Sequence, residues 1–285
     1  MAPSRIQLPG ACCPVPRGTR TIQSLARATA LAAMLLATDP CRASGAFSVN
    51  LAVVSDYVFR GLTQSWGQPA LQGGGAFDHR GFDAGIWLSS VSTRSYPGGG
   101  SEIDVFASEG HRFRSGLHWR TGVYGYFYPG ANLDRAQLPP QSLDTVEANA
   151  AIGWRWLTLQ YNRALTNYFG AGPAAGFRGS SRGSSYWQLD AQFRPAQNWT
   201  LGLHAGRTHY TTELAAPLPD GARNPSYSDY GVTLTRQLDT HWSLGTSLTH
   251  ATNAAWYRDT ASYLDANDTL NVGGTRVAIM LQGTF

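Results

Sequence analysis

The chain has 285 residues with 22 basic and 18 acidic side chains, a formal net charge of +4, and every basic residue is Arg. Because it contains no Lys, the sequence excludes Walker-type phosphate loops and Schiff-base catalysis. Five basic residues and one acidic residue precede Phe47, which leaves 17 of each sign in residues 47–285 and excludes the strong positive charge expected of a nucleic-acid-binding domain.

The first 46 residues have the pattern of a signal peptide. Several Arg residues precede an apolar run at 28–37, and the small residues at 44–46 suit cleavage before Phe47, with cleavage after Ala43 as the alternative. All three Cys lie in this leader, so residues 47–285 contain no disulfide, thiolate metal site or Cys nucleophile. The leader therefore predicts export.

The rest of the sequence predicts about twelve β-strands in which apolar and polar residues alternate. Each is close to the ~9–11 residues that cross a bilayer as a tilted strand. In chain order they span residues 47–60, 71–78, 82–91, 102–109, 117–128, 143–154, 157–166, 185–193, 200–210, 230–238, 242–252 and 275–285. No stretch after Ala46 approaches the roughly 18 consecutive apolar residues of a spanning helix. A membrane span in this chain would therefore have to be built from strands.

The segments between the predicted strands alternate strictly in length. The long segments, rich in Gly, Pro, Ser and Asn, are 61–70, 92–101, 129–142, 167–184, 211–229 and 253–274. The short segments are 79–81, 110–116, 155–156, 194–198 and 239–241. This asymmetry is typical of outer-membrane barrels. The sequence predicts an all-β, transmembrane, antiparallel up-and-down β-barrel with short periplasmic turns and long extracellular loops, in the outer membrane of a Gram-negative bacterium.

Aromatic residues concentrate near the ends of the predicted strands. The last strand ends on Phe285, a pattern typical of the closing strand of such barrels and of recognition by the barrel-assembly machinery. One aromatic set lies beside the short turns, and a second, including Tyr57, Tyr126, Tyr128 and Tyr186, lies near the long loops. These two sets of aromatic residues predict girdles at the two lipid–water interfaces, although aromatic residues also favour strands in general.

The polar faces of the strands should line the interior, because an Arg facing lipid at mid-bilayer costs roughly 2–4 kcal/mol. Eight charged residues on these faces are the pore-lining candidates: Asp56, Arg60, Glu102, Asp104, Arg120, Glu147, Asp190 and Arg276. Asp56 and Arg60, both placed on the first strand, form a candidate constriction with Glu102, Asp104 and Arg120. The equal alternative is a salt bridge that holds the first loop against the wall.

The state of the interior is left open by the strand count. Eight strands are filled by side chains, whereas sixteen to eighteen leave an aqueous channel, and twelve falls between. Small inward residues such as Gly74 and Gly122 favour a narrow open pore. In the opposite interpretation, Arg–carboxylate pairs or inward loops plug the barrel.

The opening strand and loop resemble those of a known family. The run VSDYVFRGLTQS at 54–65, followed by PALQGG at 69–74, is similar to the TorF family of porin-like proteins of proteobacteria. Further matches are SEIDV at 101–105, YFYPG at 126–130 and NYFG at 167–170. The resemblance extends from about residue 49 to 285 and implies an outer-membrane barrel.

These features predict a channel for passive diffusion of small hydrophilic solutes or ions, with outer-membrane lipid and those solutes as its partners. The main rival is a plugged barrel that binds a surface ligand or partner through its long outer loops. A lipid-modifying enzyme ranks third, because neither His250 with Asn253 nor His209 with Thr211 and Glu213 lies in a recognisable catalytic motif. We predict no enzymatic activity, no cofactor and no metal site, since the seven His are scattered and lack paired spacing.

Overall fold

The computed structural model describes residues 45–285. The predicted signal peptide lies outside the described residues, except for Gly45 and Ala46 at its end. No helix within residues 45–285 is long and apolar enough to cross a membrane.

Twelve antiparallel strands form a closed barrel in which each strand pairs with its neighbours along the chain and the first pairs with the last. The strands are β1 (Ala46–Val54), β2 (Ala70–His79), β3 (Phe82–Ser90), β4 (Ser101–Arg112), β5 (Leu117–Phe127), β6 (Thr145–Trp154), β7 (Leu157–Ala164), β8 (Ser185–Ala196), β9 (Trp199–His209), β10 (Tyr227–Gln237), β11 (Trp242–Ala251) and β12 (Gly274–Thr284). The predicted all-β, up-and-down barrel of twelve strands is confirmed. All long connections lie at one end, the long-loop end, and all short ones at the other, the short-turn end.

The loops at the long-loop end contain short elements of their own. Two-residue strands form a hairpin in the first loop and a second small sheet in the last, and the loops also hold two 3-10 turns and one helical turn. Their bounds are Val58–Phe59 with Leu62–Thr63, Thr260–Ala261 with Thr269–Leu270, Leu133–Ala136, Pro173–Ala175 and Ala254–Tyr257.

The end of the first predicted strand was wrong. The strand was expected to continue to Arg60, but β1 ends at Val54, which pairs with Ala70 and Met280. Arg60 and Gly61 instead occupy a two-residue turn with φ of 49° and 77°. Two consecutive positive φ values are the geometry of the tight turn that best matches the twist of a hairpin. The chain therefore folds back here and forms the loop-1 hairpin, defined as residues 58–63.

The barrel wall is apolar outside and polar inside. On β12, for example, Val277, Ile279 and Leu281 are exposed, whereas Ala278 and Gln282 are buried. Polar side chains such as Asn50, Gln72, Asn149, Asn162 and Thr235 are almost fully enclosed on other strands. This is the reverse of a water-soluble protein and is the alternation that strands in lipid require.

The aromatic residues fulfil the girdle prediction at the short-turn end but only in part at the long-loop end, where Phe127, Trp187 and Tyr230 are exposed on the outer surface. Beside the short turns, Phe82, Phe113, Trp119, Trp154, Trp156, Trp242 and Phe285 are exposed on the outer surface, as expected. At the long-loop end the prediction was wrong for Tyr57, Tyr126, Tyr128 and Tyr186, which are buried inside. Strand alternation explains this, because Tyr126 and Tyr124 share one face and their neighbour Phe127 points outward. The main apolar core consequently lies inside the long-loop half of the barrel.

Candidate functional site

The loop-1 hairpin crosses the interior at the long-loop end. At its tip, Arg60 donates from Nη1 to Oε1 of Glu147 at 2.9 Å and from Nη2 to Oε2 at 2.7 Å, a two-pronged ion pair with β6. Arg60 also donates to the hydroxyl of Tyr168 at 2.7 Å. A Cβ added to Gly61 would lie 2.7 Å from Cβ of Asp229 and 3.0 Å from that of Ala251, so the tip also lies against β10 and β11. The hairpin thus spans from β1 to the opposite wall.

Aromatic rings pack around the hairpin. Phe59 lies 5.7 Å from Tyr126 and 5.9 Å from Phe169, measured between ring centroids. The Arg60 guanidinium lies 4.2 Å from the centre of the Tyr186 ring, a cation–π arrangement. Tyr57, just before the hairpin, meets Trp87 edge-on at 5.4 Å. These contacts surround the hairpin with aromatic side chains at the long-loop end.

A second ion pair anchors the base of the hairpin. Asp56 accepts a hydrogen bond from Oγ1 of Thr63 and one from Nη1 of Arg276 on β12, the latter at 2.8 Å. Arg276 also donates to the carbonyl of Asn271 in the last loop. Base and tip are therefore fixed separately, and Asp56 and Arg60 do not pair with each other.

Two carboxylates lie side by side beneath Tyr57. Glu102 and Asp104 alternate on the inner face of β4 and are 1% and 0% exposed. Asp104 is flanked across the sheet by Trp87 on β3 and Tyr126 on β5. Burial raises the pKa of the Tyr57 hydroxyl well above its usual value, and the charges of Glu102 and Asp104 raise it further. Tyr57 is therefore a neutral cover over two buried carboxyl groups.

A more accessible polar network lies on the wall formed by β8, β9 and β10. His204 on β9 contacts Oδ1 of Asp190 through Nδ1 at 2.6 Å and Oδ2 of Asp229 through Nε2 at 2.9 Å. Tyr186 donates to Asp229 at 3.0 Å. Since an ionised carboxylate only accepts hydrogen bonds, both ring nitrogens must donate and His204 is held as a cation. The side chains of His204 and Asp190 are 20% and 24% exposed, which marks this wall as reachable from the interior space.

Arg120 forms a separate group on β5. It donates to the Tyr124 hydroxyl at 2.8 Å and to Oε1 of Gln160 at 3.0 Å. Its hydrogen bonds therefore go to neutral groups, away from Glu102 and Asp104.

All eight candidate residues are enclosed by the barrel, in distinct groups. Four of them form two ion pairs, Arg60–Glu147 and Asp56–Arg276, while Glu102 and Asp104 form the carboxylate pair. Asp190 joins His204, and Arg120 stands apart. The sequence interpretation did not include His204 and Asp229 in the site. Asp229 had been placed in the preceding loop, although the period of two through Tyr227, Asp229, Gly231 and Thr233 marks them as one face of β10.

Residues considered for a lipid-modifying enzyme have other partners in the structure. His250 contacts Thr275 at 2.9 Å, whereas Asn253 donates to the backbone carbonyls of Asn224 and Ser226. In the other arrangement, Glu213 forms an ion pair with Arg178 at 3.1 Å. Among residues 45–285, no three or more His, Cys, Asp or Glu are grouped to hold a metal ion.

Comparison with known proteins places this geometry in context. The model of a bacterial protein family of unknown function, Gcw_chp, matches residues 40–285. No curated protein matches the chain in sequence. Among solved structures, the NanC porin is similar with a TM-score of 0.50 and 8% identity, over 84% of this chain and 99% of that one. The KdgM porin in complex with disordered oligogalacturonate has a TM-score of 0.47 and 11% identity, over 84% of this chain and 99% of that one. OprD of Pseudomonas aeruginosa has a TM-score of 0.38 and 11% identity, over 84% of this chain and 66% of that one. At these identities, the likeness to NanC shows a common fold only.

Proposed function

The chain belongs to the Gcw_chp family of bacterial proteins of unknown function, and we propose that this member is an outer-membrane channel for passive diffusion of small hydrophilic solutes or ions. The observation that carries the proposal is the closed wall of twelve strands, apolar outside and polar inside. NanC, which has the same fold, is named a porin. The run at 54–65, which resembles the TorF family, includes the whole loop-1 hairpin.

The loop-1 hairpin is the gate of this channel. It covers the long-loop end, and its tip is held by Arg60 on Glu147, Tyr168 and Tyr186. Passage past it requires the tip to move, which exposes a buried ion pair. Removing one partner of such a pair leaves the other charge buried and unpaired, which generally costs about 3–5 kcal/mol. The closed state should therefore dominate, and loss of Arg60 should favour an open one.

The interior charge should favour cations. At the long-loop end, Glu147, Asp56 and Asp229 each have a basic partner, whereas Glu102 and Asp104 form no ion pair with an Arg or His among the described residues. Acidic groups at a constriction attract cations and repel anions. This excess negative charge lies enclosed in the wall beneath the hairpin, from where its field acts on solutes in the interior.

Single-channel conductance of the purified protein in a planar bilayer tests the proposal. The wild type should give discrete steps with long closed periods, and Arg60→Ala should increase the open fraction several-fold. Arg94→Ala is the matched control, since Arg94 pairs with Asp268 on the exposed loop surface and should not change gating. Silence of both proteins, with folding verified by faster migration of the unboiled form in a detergent gel, would contradict a channel.

That silent outcome would favour the second candidate, a plugged barrel that binds a ligand or partner through its long outer loops. The specific observation in its favour is the same hairpin, which contacts Glu147 on β6 and Tyr126 on β5 and lies against Asp229 on β10. Deleting residues from a distal loop should then abolish binding without opening the barrel. Phe285, which is exposed beside Trp242 at the short-turn end, is the expected contact for the assembly machinery in either case.

A further inference from the structure

Within residues 45–285, no Arg or His forms an ion pair with the carboxylate pair of Glu102 and Asp104. Of the carboxylates near the hairpin, Asp104 interacts with those of Glu102 and Glu147, and Arg60 binds Glu147 through both of its terminal nitrogens. Arg120 donates to Tyr124 and Gln160. The remaining pair therefore keeps its negative charge, unless a proton or a cation from outside the chain neutralises it.

Within the pair, Asp104 is also short of hydrogen-bond donors. Tyr128 donates to Oε1 of Glu102 at 2.8 Å. Tyr57 lies within reach of the same carboxylate, whereas no N–H or O–H of the described residues forms a hydrogen bond to either oxygen of Asp104, and both of these atoms are inaccessible. Burying an ionised carboxylate without a partner is among the most costly arrangements in a protein interior. The two carboxyl groups are close enough to share one proton, but a single proton leaves one negative charge.

The walls around the pair suit a small cation. Trp87 and Tyr126 flank Asp104 across the sheet, and Tyr57 and Tyr128 lie beside Glu102. Carboxylate and hydroxyl oxygens are hard ligands, and aromatic faces attract cations as well. No third carboxylate or His joins the pair in a metal-type cluster within residues 45–285, which argues against a divalent ion.

We propose that Glu102 and Asp104 bind a small monovalent cation, such as K⁺ or Na⁺, inside the barrel beneath the loop-1 hairpin. Binding neutralises the charge that the shared proton leaves. The consequence for ion selectivity rests on the proposed channel function, whereas binding itself does not.

Thermal unfolding of the purified protein tests binding directly. Unfolding midpoints are compared in KCl and in N-methylglucamine chloride at equal ionic strength, because the bulky organic cation does not fit an enclosed site. The wild type should unfold at least about 2 °C higher in KCl, with saturation as KCl rises. Asp104→Asn and, independently, Glu102→Gln should unfold at the same temperature in both salts. Asp229→Asn is the control, since Asp229 is an interior carboxylate that already has His204 as a partner, and it should keep the response to K⁺.

Three results would overturn the proposal. Equal midpoints of the wild type in both salts would mean that a shared proton alone neutralises the pair, and an Asp104→Asn variant that keeps the K⁺ response would place the cation elsewhere. A response to CaCl₂ without one to KCl would overturn the monovalent assignment. Conductance of the same preparation separates the two proposals. K⁺-dependent stability in a barrel that does not conduct supports the cation site and contradicts the channel. Conductance without K⁺-dependent stability supports the channel and contradicts the cation site.

Discussion

Arg60 combines three kinds of contact in one side chain. Its guanidinium binds Glu147 through two parallel hydrogen bonds, donates to Tyr168 and lies over the Tyr186 ring. Only a planar, permanently charged group with several donors does this, so Lys would not replace it. The sequence identified Arg60 and Glu147 as interior residues, but not as partners. They lie 87 positions apart, and their meeting depends on how far the loop-1 hairpin reaches across the barrel.

The buried loop tyrosines make stability sensitive to high pH. Burial raises the pKa of Tyr168 to about 12, although the neighbouring Arg60 lowers it. Burial likewise raises the pKa of Tyr96, Tyr210 and Tyr257 in other loops. Because folding raises the pKa of these Tyr hydroxyls, the folded state is favoured fully below their pKa in the unfolded chain, which is near 10. This stabilisation is lost as the pH rises through their pKa in the folded protein. We expect a constant unfolding midpoint up to about pH 10 and a steady fall between about pH 10 and 12.

Tyrosinate absorbance near 295 nm, followed on the same samples, checks the cause. The buried set should ionise together with unfolding, well above pH 10. Ionisation of all thirteen Tyr near pH 10 in a still-folded barrel would contradict the enclosed packing at the long-loop end.

At the scale of elements, the alternating pattern located the barrel strands because their side chains face two different solvents. The pattern failed at the end of β1, because Tyr57 and Phe59 continue the apolar alternation of Val53 beyond the strand itself. The signal that could have corrected it is Arg60-Gly61, since Gly in a two-residue turn favours a hairpin. The tyrosines near the loops were misassigned for a related reason. Position along the strand was given more weight than the face that Tyr126 shares with Tyr124.

Gly61 lets the hairpin tip fit against strands β10 and β11. Its φ of 77° favours Gly, and an added Cβ would collide with Asp229 and Ala251 at 2.7 and 3.0 Å. Gly67, in the same loop, has a similar φ of 71°, but the nearest atom to its added Cβ is 3.7 Å away. Both Ala variants bear the backbone strain of about 1 kcal/mol, and only Gly61→Ala adds the collision.

We therefore expect Gly61→Ala to displace the tip and to increase the open fraction in single-channel recordings, in the same direction as Arg60→Ala. Gly67→Ala should lose a little stability and keep wild-type gating. Equal gating in the two variants would show that the fit of the tip does not hold the channel closed.

At the scale of the whole molecule, the outer surface distinguishes a membrane barrel from a water-soluble one. Two apolar side chains are equally exposed: Ile279, midway along β12, at 53%, and Leu264, in the last loop, at 56%. In water, replacing either by a charged residue would be nearly neutral, because surface substitutions usually change stability by less than about 0.5 kcal/mol. In a bilayer, only Ile279 would meet hydrocarbon.

Ile279→Arg should therefore destabilise the barrel in lipid vesicles by about 2–4 kcal/mol, while Leu264→Arg should leave the free energy of unfolding unchanged. The measurement is reversible urea unfolding in vesicles, followed by Trp fluorescence. In a detergent micelle, which adapts to a charged side chain more readily than a bilayer, the difference between the two variants should shrink. Two variants of equal stability in vesicles would mean that the apolar band around β12 does not lie in lipid, and the barrel would then need another partner to cover its surface.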